Sequence, residues 1–309
     1  MKLYTLTLNP AFDIHCYAED FAPFHENLAR ITSNDAGGKG VNISRALNCS
    51  QTENTAVVVM GRENAESFCN AIKQDGIRVK KILVDGRIRE NITVHTNNAP
   101  ETRISFEGFS ADDSLLDQAY SLLEEEGLQD SIVTVTGRNP IGITMRAIKR
   151  MIAKLQAKGA KVVIDSRSFG KQDLIDCHPW LIKPNEEEIA TYAEEEVNSF
   201  EDAAKAAQLL REQGIENVMI SLGAKGAMLC CEDGCFVARA PEVKVLSTIG
   251  AGDTSIGGFC AAAVAGKTYS EMLRYAVSYG SAACMTEGTK PPRLQDIETL
   301  LGKTTVERL

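Results

Sequence analysis

Ser247-Thr248-Ile249-Gly250-Ala251-Gly252-Asp253-Thr254 follows a short run, Val243 to Leu246, that reads as a strand, and it opens an apolar helix expected over Thr254 to Ala265. Glycines on both sides of Ala251 let the chain turn sharply and aim several unpaired N–H groups at one point, where the helix dipole adds positive potential. That arrangement suits an anion, phosphate above all. Asp253 stands beside the anion. A carboxylate there can accept a proton from an attacking hydroxyl while the amides of Gly250, Ala251 and Gly252 hold the charge that builds on a transferring phosphoryl group. The same residues also describe a plain glycine turn whose acidic first-turn residue complements the dipole. Both readings stand on this motif alone.

Ala36-Gly37-Gly38-Lys39-Gly40-Val41-Asn42 is a second glycine-rich approach to a helix. It has neither the Walker spacing nor the dinucleotide fingerprint. Its backbone can come close to a polar ligand, with Lys39 as a point charge for phosphate and Asn42 for hydroxyls; the alternative is a flexible turn with a solvated lysine. Lys183-Pro184-Asn185-Glu186-Glu187-Glu188 follows a strand, and Asn185 can cap the helix whose first turn carries the three glutamates. A hard cation such as Mg²⁺ would accept a carboxylate here, usually through water, if a nucleotide binds nearby. Ser221-Leu222-Gly223-Ala224-Lys225-Gly226 reads as a tight turn between two strands and, by itself, only as a hairpin.

Something must hold these turns in place. Apolar, β-branched runs at Leu3–Leu8, Thr55–Met60, Ser131–Thr136, Lys161–Asp165, Trp180–Lys183 and Asn217–Leu222 read as buried strands. Helical patterns alternate with them at Val41–Leu47, Ala65–Gln74, Leu115–Glu125, Met145–Lys158, Asp202–Gln213, Thr254–Ala265 and Ser270–Met285. Such alternation predicts an α/β fold, a doubly wound, mostly parallel sheet between helix layers, with ligands at the carboxyl ends of the strands. Ile14–Ile31 and Ile88–Phe106 break the alternation as extended, partly polar stretches. They predict a small β lid over the glycine turns, or else a pair of surface hairpins. With no linker and no repeat, residues 1–309 read as a single domain.

Composition narrows the function further. Against 42 Asp plus Glu stand 33 Lys plus Arg, a formal charge of −9, and no block of like charges offers a basic face, so no nucleic-acid partner is expected. No apolar run nears the roughly 18 residues of a membrane helix, so no membrane partner is expected either. Asn9-Pro10 and Asp13 interrupt the first run too early for a secretory segment. Nine cysteines, without any Cys-x-x-Cys, sit mostly in apolar segments and read as packed thiols of a reducing cytoplasm. Cys230, Cys231 and Cys235 read as part of a strand and turn, with zinc the lesser alternative.

Taken in order, Thr7-Leu8-Asn9-Pro10-Ala11-Phe12-Asp13, Gly37 to Asn42, Lys183 to Glu188, Ser221 to Gly226 and Ser247 to Asp253 resemble the ribokinase-like, phosphofructokinase-B family of sugar kinases. Within it, the first two motifs look most like the 1-phosphofructokinase and tagatose-6-phosphate kinase branch. The resemblance spans nearly the whole chain. It implies transfer of the γ-phosphate of ATP, with Mg²⁺, to a sugar hydroxyl, Asp253 being the base and Gly250, Ala251 and Gly252 the anion hole. It further implies that Asp13 holds sugar hydroxyls, that Gly37, Gly38, Lys39 and Asn42 hold the sugar body, and that Arg89 and Asn91 reach a sugar phosphate from the lid. By the same resemblance Asn185 and Glu188 belong to the Mg²⁺ shell. Lys183, Asn185, Ser221, Gly223, Gly226, Ser247 and Thr248 would line ATP, and a homodimer would form through the lid.

Thr136-Gly137-Arg138-Asn139-Pro140 departs from the family's usual Ser-Gly-Ser-Leu-Pro and puts a guanidinium beside the expected sugar. Arg138 can grip a phosphate or carboxylate bidentately, or fill space and exclude the usual substrate. Arg103, where the lid is commonly acidic, and Arg167 are further departures, each otherwise a solvated surface residue. The expected substrate is a phosphorylated ketohexose, fructose 1-phosphate first, with tagatose 6-phosphate and fructose 6-phosphate as rivals. An unphosphorylated or acidic sugar is the alternative, and a retired homologue that only binds nucleotide or sugar phosphate is the alternative from another class.

Overall fold

The computed structural model describes residues 1–194 and 196–309, and the elements below are those found among them. The chain opens with strands β1 (Lys2–Thr7), β2 (Ala11–Tyr17) and β3 (Arg30–Gly37), helix α1 (Lys39–Cys49), β4 (Thr55–Gly61), α2 (Ala65–Lys73), β5 (Val79–Val84), β6 (Arg89–His95) and β7 (Thr102–Ser105). Next come α3 (Ser114–Glu126), β8 (Ser131–Thr136), α4 (Met145–Ala157), β9 (Ala160–Asp165), α5 (Lys171–Cys177), β10 (Leu181–Ile182), α6 (Glu186–Ala193) and α7 (Phe200–Glu212). The last third holds β11 (Asn217–Ser221), β12 (Ala227–Cys231), β13 (Gly234–Ala238), α8 (Ala251–Val264), α9 (Tyr269–Ala283), α10 (Leu294–Leu301) and β14 (Val306–Arg308).

Ten strands form one sheet in the order β14-β13-β12-β11-β10-β9-β8-β1-β4-β5. From β11 across to β5 every pairing is parallel, and β12, β13 and β14 add an antiparallel edge. The parallel strands can be apolar throughout, as β4 is with seven buried residues, because helices cover both faces. α3, α4 and α7 pack on one face; α1, α8 and α9 pack on the other. The chain winds from β1 outward to β5, then returns to β8 on the other side of β1. This places the topological switch point between β1 and β8, and in open α/β sheets it is the carboxyl ends of the strands at such a point that form a ligand crevice.

A second sheet of four strands, ordered β3-β2-β6-β7, stands apart from the first. β2 starts at Ala11, nearer the first strand than the extended pattern suggests, and residues 18–29 lie outside regular structure before β3. Helix α8 is apolar on nearly all sides because it is sandwiched between α1 and α9. A side chain at Gly257 would lie 2.8 Å from the Ala46 Cβ of α1, and one at Gly258 would lie 2.7 Å from the Tyr279 ring of α9. That close fit fixes the first turn of α8, where Asp253 sits.

The structure departs from the sequence expectations at two places. Val243–Leu246 is not a strand; the segment crosses the surface with Val245 and Leu246 more than half exposed, and the Leu246 amide donates to the Cys284 carbonyl at 2.8 Å. Nor are all nine cysteines thiols, since Cys230 and Cys235 are joined as a disulfide. The register of β12 against β13 sets these two residues directly opposite each other with Cα atoms 4.2 Å apart, close enough for a bridge across the hairpin. No helix among the described residues is long and apolar enough to cross a membrane.

Candidate active site

At the switch point the chain leaves β1 through Asn9-Pro10 and enters β2, which carries Asp13. Gly37 and Gly38 bring the end of β3 against it. A side chain at Gly37 would intrude on the Asp13 carboxylate, and Gly38, at φ 127°, has backbone that L side chains rarely adopt and lies against Thr7 and Pro10. Asp13 Oδ1 accepts a hydrogen bond from Asn91 Nδ2 at 2.8 Å and lies 3.5 Å from Arg103 Nη2. Burial pulls the half-buried Arg89 guanidinium below its ordinary value; Asp13 opposes this, and the Arg138 and Arg103 charges add to it. The Arg89 guanidinium therefore has two like charges, Arg103 and Arg138, and one carboxylate, Asp13, in its surroundings. Asn9 Oδ1, Arg89 Nε and Asn91 Oδ1 are buried there with no hydrogen-bond partner among the described residues, a costly state that a polar ligand would relieve. Gly137, at the end of β8, lies against the stem of Lys39 and holds the exposed Arg138 on the same rim.

Deeper in the crevice the charges are paired. Lys39 Nζ donates to Asp165 Oδ2 at 2.9 Å, and Lys183 Nζ lies 3.7 Å from the same oxygen. Burial works to raise the Asp165 carboxyl, but Lys183 and Lys39 outweigh it and hold it below the usual carboxylate range. Asn42 Nδ2 donates to Asp253 Oδ2 at 2.9 Å. Burial pushes Asp253 up to about 6; Asp165 pushes the same way, whereas Lys39, Asn42 and Lys183 pull it down. Gly250 caps α8 at φ 78°, and Thr254 is the residue whose amide returns to the Gly250 carbonyl. Of the amides ahead of it, that of Ala251 makes a long bond to the Thr248 carbonyl at 3.4 Å, and the others are of the kind a helix start leaves free for an anion. A side chain at Gly252 would lie 3.0 Å from Lys183 Nζ, so that ammonium faces the same nest. A buried carboxylate with a raised proton affinity, beside an amide nest and two lysines, is equipped to take a proton while a phosphate is held next to it.

Asn185 and Glu188 form a reciprocal cap on α6. Asn185 Oδ1 accepts from the Glu188 amide at 2.8 Å, and Glu188 Oε2 accepts from the Asn185 amide at 3.1 Å. Both side chains therefore serve the helix first. Their remaining lone pairs are hard oxygen donors, and Arg167 Nε lies 3.5 Å from Glu188 Oε1. No cluster of three metal-binding His, Cys, Asp or Glu side chains occurs among the described residues. This donor set fits a Mg²⁺ ion held chiefly by water and phosphate oxygens, with one or two protein carboxylate or amide contacts. Asn185 bridges to Ser221, whose amide donates to the Pro184 carbonyl at 2.9 Å. The turn after Ser221 is 3₁₀ over Gly223–Lys225, closed by Gly226, and Lys225 Nζ ties it to Glu186 at 3.0 Å. Ser247 Oγ accepts from the Ile249 amide at 3.2 Å and shapes the loop that leads through Thr248 into the nest.

Asp253, Lys39, Asn42 and Lys183 thus meet in one charge network, while Asp13, Arg89, Asn91 and Arg103 meet in another beside it. Lys39 is no solvated turn lysine. Asp165, the last residue of β9, anchors both lysines and is not among the site residues that the sequence motifs single out. A carboxylate closing an otherwise apolar strand was the available signal. Arg45, which bonds Asn42, carried no signal, because an arginine in a helix reads as surface.

The profile of the pfkB family carbohydrate kinases matches residues 7–296. The 1-phosphofructokinase of Vibrio cholerae is 30% identical over 97% of this chain and 94% of its own. That of Escherichia coli K12 is 30% identical over 91% of this chain and 90% of its own. Escherichia coli phosphofructokinase-2, solved in complex with substrates and products, superposes with a TM-score of 0.90 at 25% identity, covering 98% of this chain and 99% of that one. A doubly wound sheet, an aspartate in a helix-start nest at its switch-point crevice and a profile spanning nearly the full length all agree: the chain belongs to the pfkB family of carbohydrate kinases, phosphotransferases that act on a sugar hydroxyl.

Proposed function

We propose that this kinase transfers the γ-phosphate of ATP to a hydroxyl of a phosphorylated ketohexose, fructose 1-phosphate first among candidates. The observation that carries the reading is Asp253, buried in the first turn of α8 with its carboxyl pushed up to about 6. A base of that strength is ionised at neutral pH yet can accept a proton from a sugar hydroxyl in the transition state. The amides of Gly250, Ala251 and Gly252 hold the phosphoryl oxygens, and Lys39 and Lys183, both anchored on Asp165, supply fixed positive charge beside them. Asn185 and Glu188 would hold Mg²⁺ through its water shell, and the ion would neutralise charge on the nucleotide phosphates. Ser221, Gly223, Gly226, Ser247 and Thr248 line the nucleotide. Asp13, Gly37, Gly38 and Asn42 face the sugar body, and Arg89, Arg103 and Arg138 hold its phosphate.

The names of the Vibrio cholerae and Escherichia coli relatives support a phosphofructose acceptor. The arginine surplus supports a phosphate on it. Strands β2, β3, β6 and β7 act as a lid over the sugar within a single domain. Ile31, Ile104 and Phe106 are exposed on that sheet and its flank, which supports a homodimer through the lid. Dependence on ATP supports a cytoplasmic enzyme.

The test is ADP release with Mg-ATP across fructose 1-phosphate, fructose 6-phosphate, tagatose 6-phosphate and their unphosphorylated parents. The reading expects turnover on one phosphoketose at least about tenfold above the unphosphorylated sugars. Preference for an unphosphorylated sugar would overturn the substrate class, and silence across the panel would overturn the activity.

A further inference from the structure

Arg45 lies in α1, three residues after Asn42 and on the same helix face, and is only 7% exposed. Its Nη1 donates to Asn42 Oδ1 at 3.3 Å and its Nε donates to Asp75 Oδ2 at 2.7 Å. Asn42 and Asp253 are 9% and 8% exposed, and the amide joins them at 2.9 Å. A buried chain of polar contacts therefore runs from the turn after α2 to the first turn of α8. Asn48 Nδ2 donates to the Asp75 carbonyl at 3.1 Å and steadies its outer end.

We propose that Arg45 is a positioning residue for phosphoryl transfer, acting through Asn42: it sets the orientation of the Asn42 amide so that the NH₂ group, and not the carbonyl, faces Asp253. An asparagine side chain is nearly symmetric in shape but not in chemistry, one end donating and the other accepting. A guanidinium has donors only, so the end of the amide it meets must be the carbonyl, and the end left for the carboxylate must be NH₂. Without Arg45 the amide is free to turn its lone pairs on the Asp253 carboxylate. A buried arginine is costly unless paired, and Asp75, at the partly exposed outer end, supplies the pair. The remaining charged groups around Asp253 are Lys39 on α1, Asp165 at the end of β9 and Lys183 after β10; Arg45 touches none of them.

This inference rests on Asp253 being the base, so both are tested in one series: pH profiles of kcat and kcat/KM for the wild type, Arg45→Met, Arg45→Lys, Asp75→Ala and Asp253→Asn. Arg45→Met is expected to lose about tenfold in kcat, with the KM for ATP changed by less than about twofold and the KM for the sugar, which Asn42 also faces, raised by no more than about fivefold. Its acid limb should move up by about half to one pH unit, because the ionised carboxylate has lost a donor. Arg45→Lys, which keeps a donor for Asn42 Oδ1, should recover most of the rate. An unmoved acid limb in folded Arg45→Met, or no recovery in Arg45→Lys, overturns the proposal. Should Arg45→Met not fold, Asp75→Ala decides, with a loss of about threefold and a limb moved in the same direction; an unmoved limb there overturns it. Undiminished turnover in Asp253→Asn would remove the base and the proposal together, whereas a dead Asp253→Asn with an unmoved limb in the Arg45 variants removes the proposal alone.

Discussion

The two halves of the crevice are built on opposite principles. Around Asp253 every charged side chain has a partner: Lys39 and Lys183 share Asp165, and Asn42 bonds Asp253 itself. Around Arg89 the balance is broken, with the charges of Arg103 and Arg138 set against one carboxylate, Asp13, and buried polar atoms of Asn9, Arg89 and Asn91 unpaired among the described residues. The first half stands on helices and on the ends of parallel strands; in the second, Asp13, Arg89, Asn91 and Arg103 stand on the small separate sheet, while Asn9 and Arg138 reach it from the ends of β1 and β8. In the proposed reading the half around Asp253 performs the chemistry, and it is organised before any ligand arrives, as electrostatic preorganisation requires. The half proposed to hold the sugar phosphate is electrostatically incomplete, a state that an anionic ligand would complete.

The sharpest way to break this contrast is to unpair the paired half. Asp165→Asn leaves two ammonium groups with no carboxylate between them, and is expected to cost about 3–5 kcal/mol of stability in urea unfolding. A loss below about 1 kcal/mol would mean that the lysines are solvated rather than paired there. Arg89→Met acts on the other half. It should raise the KM for the phosphosugar by about a hundredfold while the KM for ATP and the melting temperature stay near wild type, because it removes a ligand contact and not an internal pair. Equal changes in both KM values would erase the distinction. Arg138→Ser is the milder version: about tenfold on the phosphosugar KM, with selectivity over the unphosphorylated parent falling by the same factor. No change in that selectivity would return Arg138 to the solvated surface.

The same contrast explains what was legible in the sequence. The main sheet was readable because buried parallel strands are runs of apolar and β-branched residues, as at Thr55–Met60 and Ser131–Thr136. The nest at Gly250–Asp253 was readable because glycine spacing and the following apolar helix leave few other conformations. Val243–Leu246 misled because its β-branched residues look like a buried strand; the segment pairs with the Cys284 carbonyl at only one firm point and leaves Val245 and Leu246 exposed. The short strands β5 and β14 escaped notice because both lie at sheet edges, where charged residues such as Lys80, Lys81 and Glu307 blur the apolar pattern. The Cys230–Cys235 bridge depends on cross-strand register, which residue types alone do not fix. The sequence marks Asp165 only as a carboxylate closing an apolar strand and not as a charge anchor, because its partners Lys39 and Lys183 lie away from it along the chain.

The central claim is that Asp253 removes the proton, and Asp253→Asn tests it twice. Its folded-state value of about 6 lies above the ordinary 3.8, so folding favours the neutral form. The stability this contributes is fully present below about 4 and is lost as pH rises through about 6. The neutral variant should therefore be about 1–3 kcal/mol more stable at pH 7, should bind ATP as the wild type does, and should lose about a thousandfold or more in kcat. Wild-type kcat/KM should fall as pH drops through about 6, the range in which Asp253 takes up its proton. Turnover in Asp253→Asn within about tenfold of wild type would contradict the account.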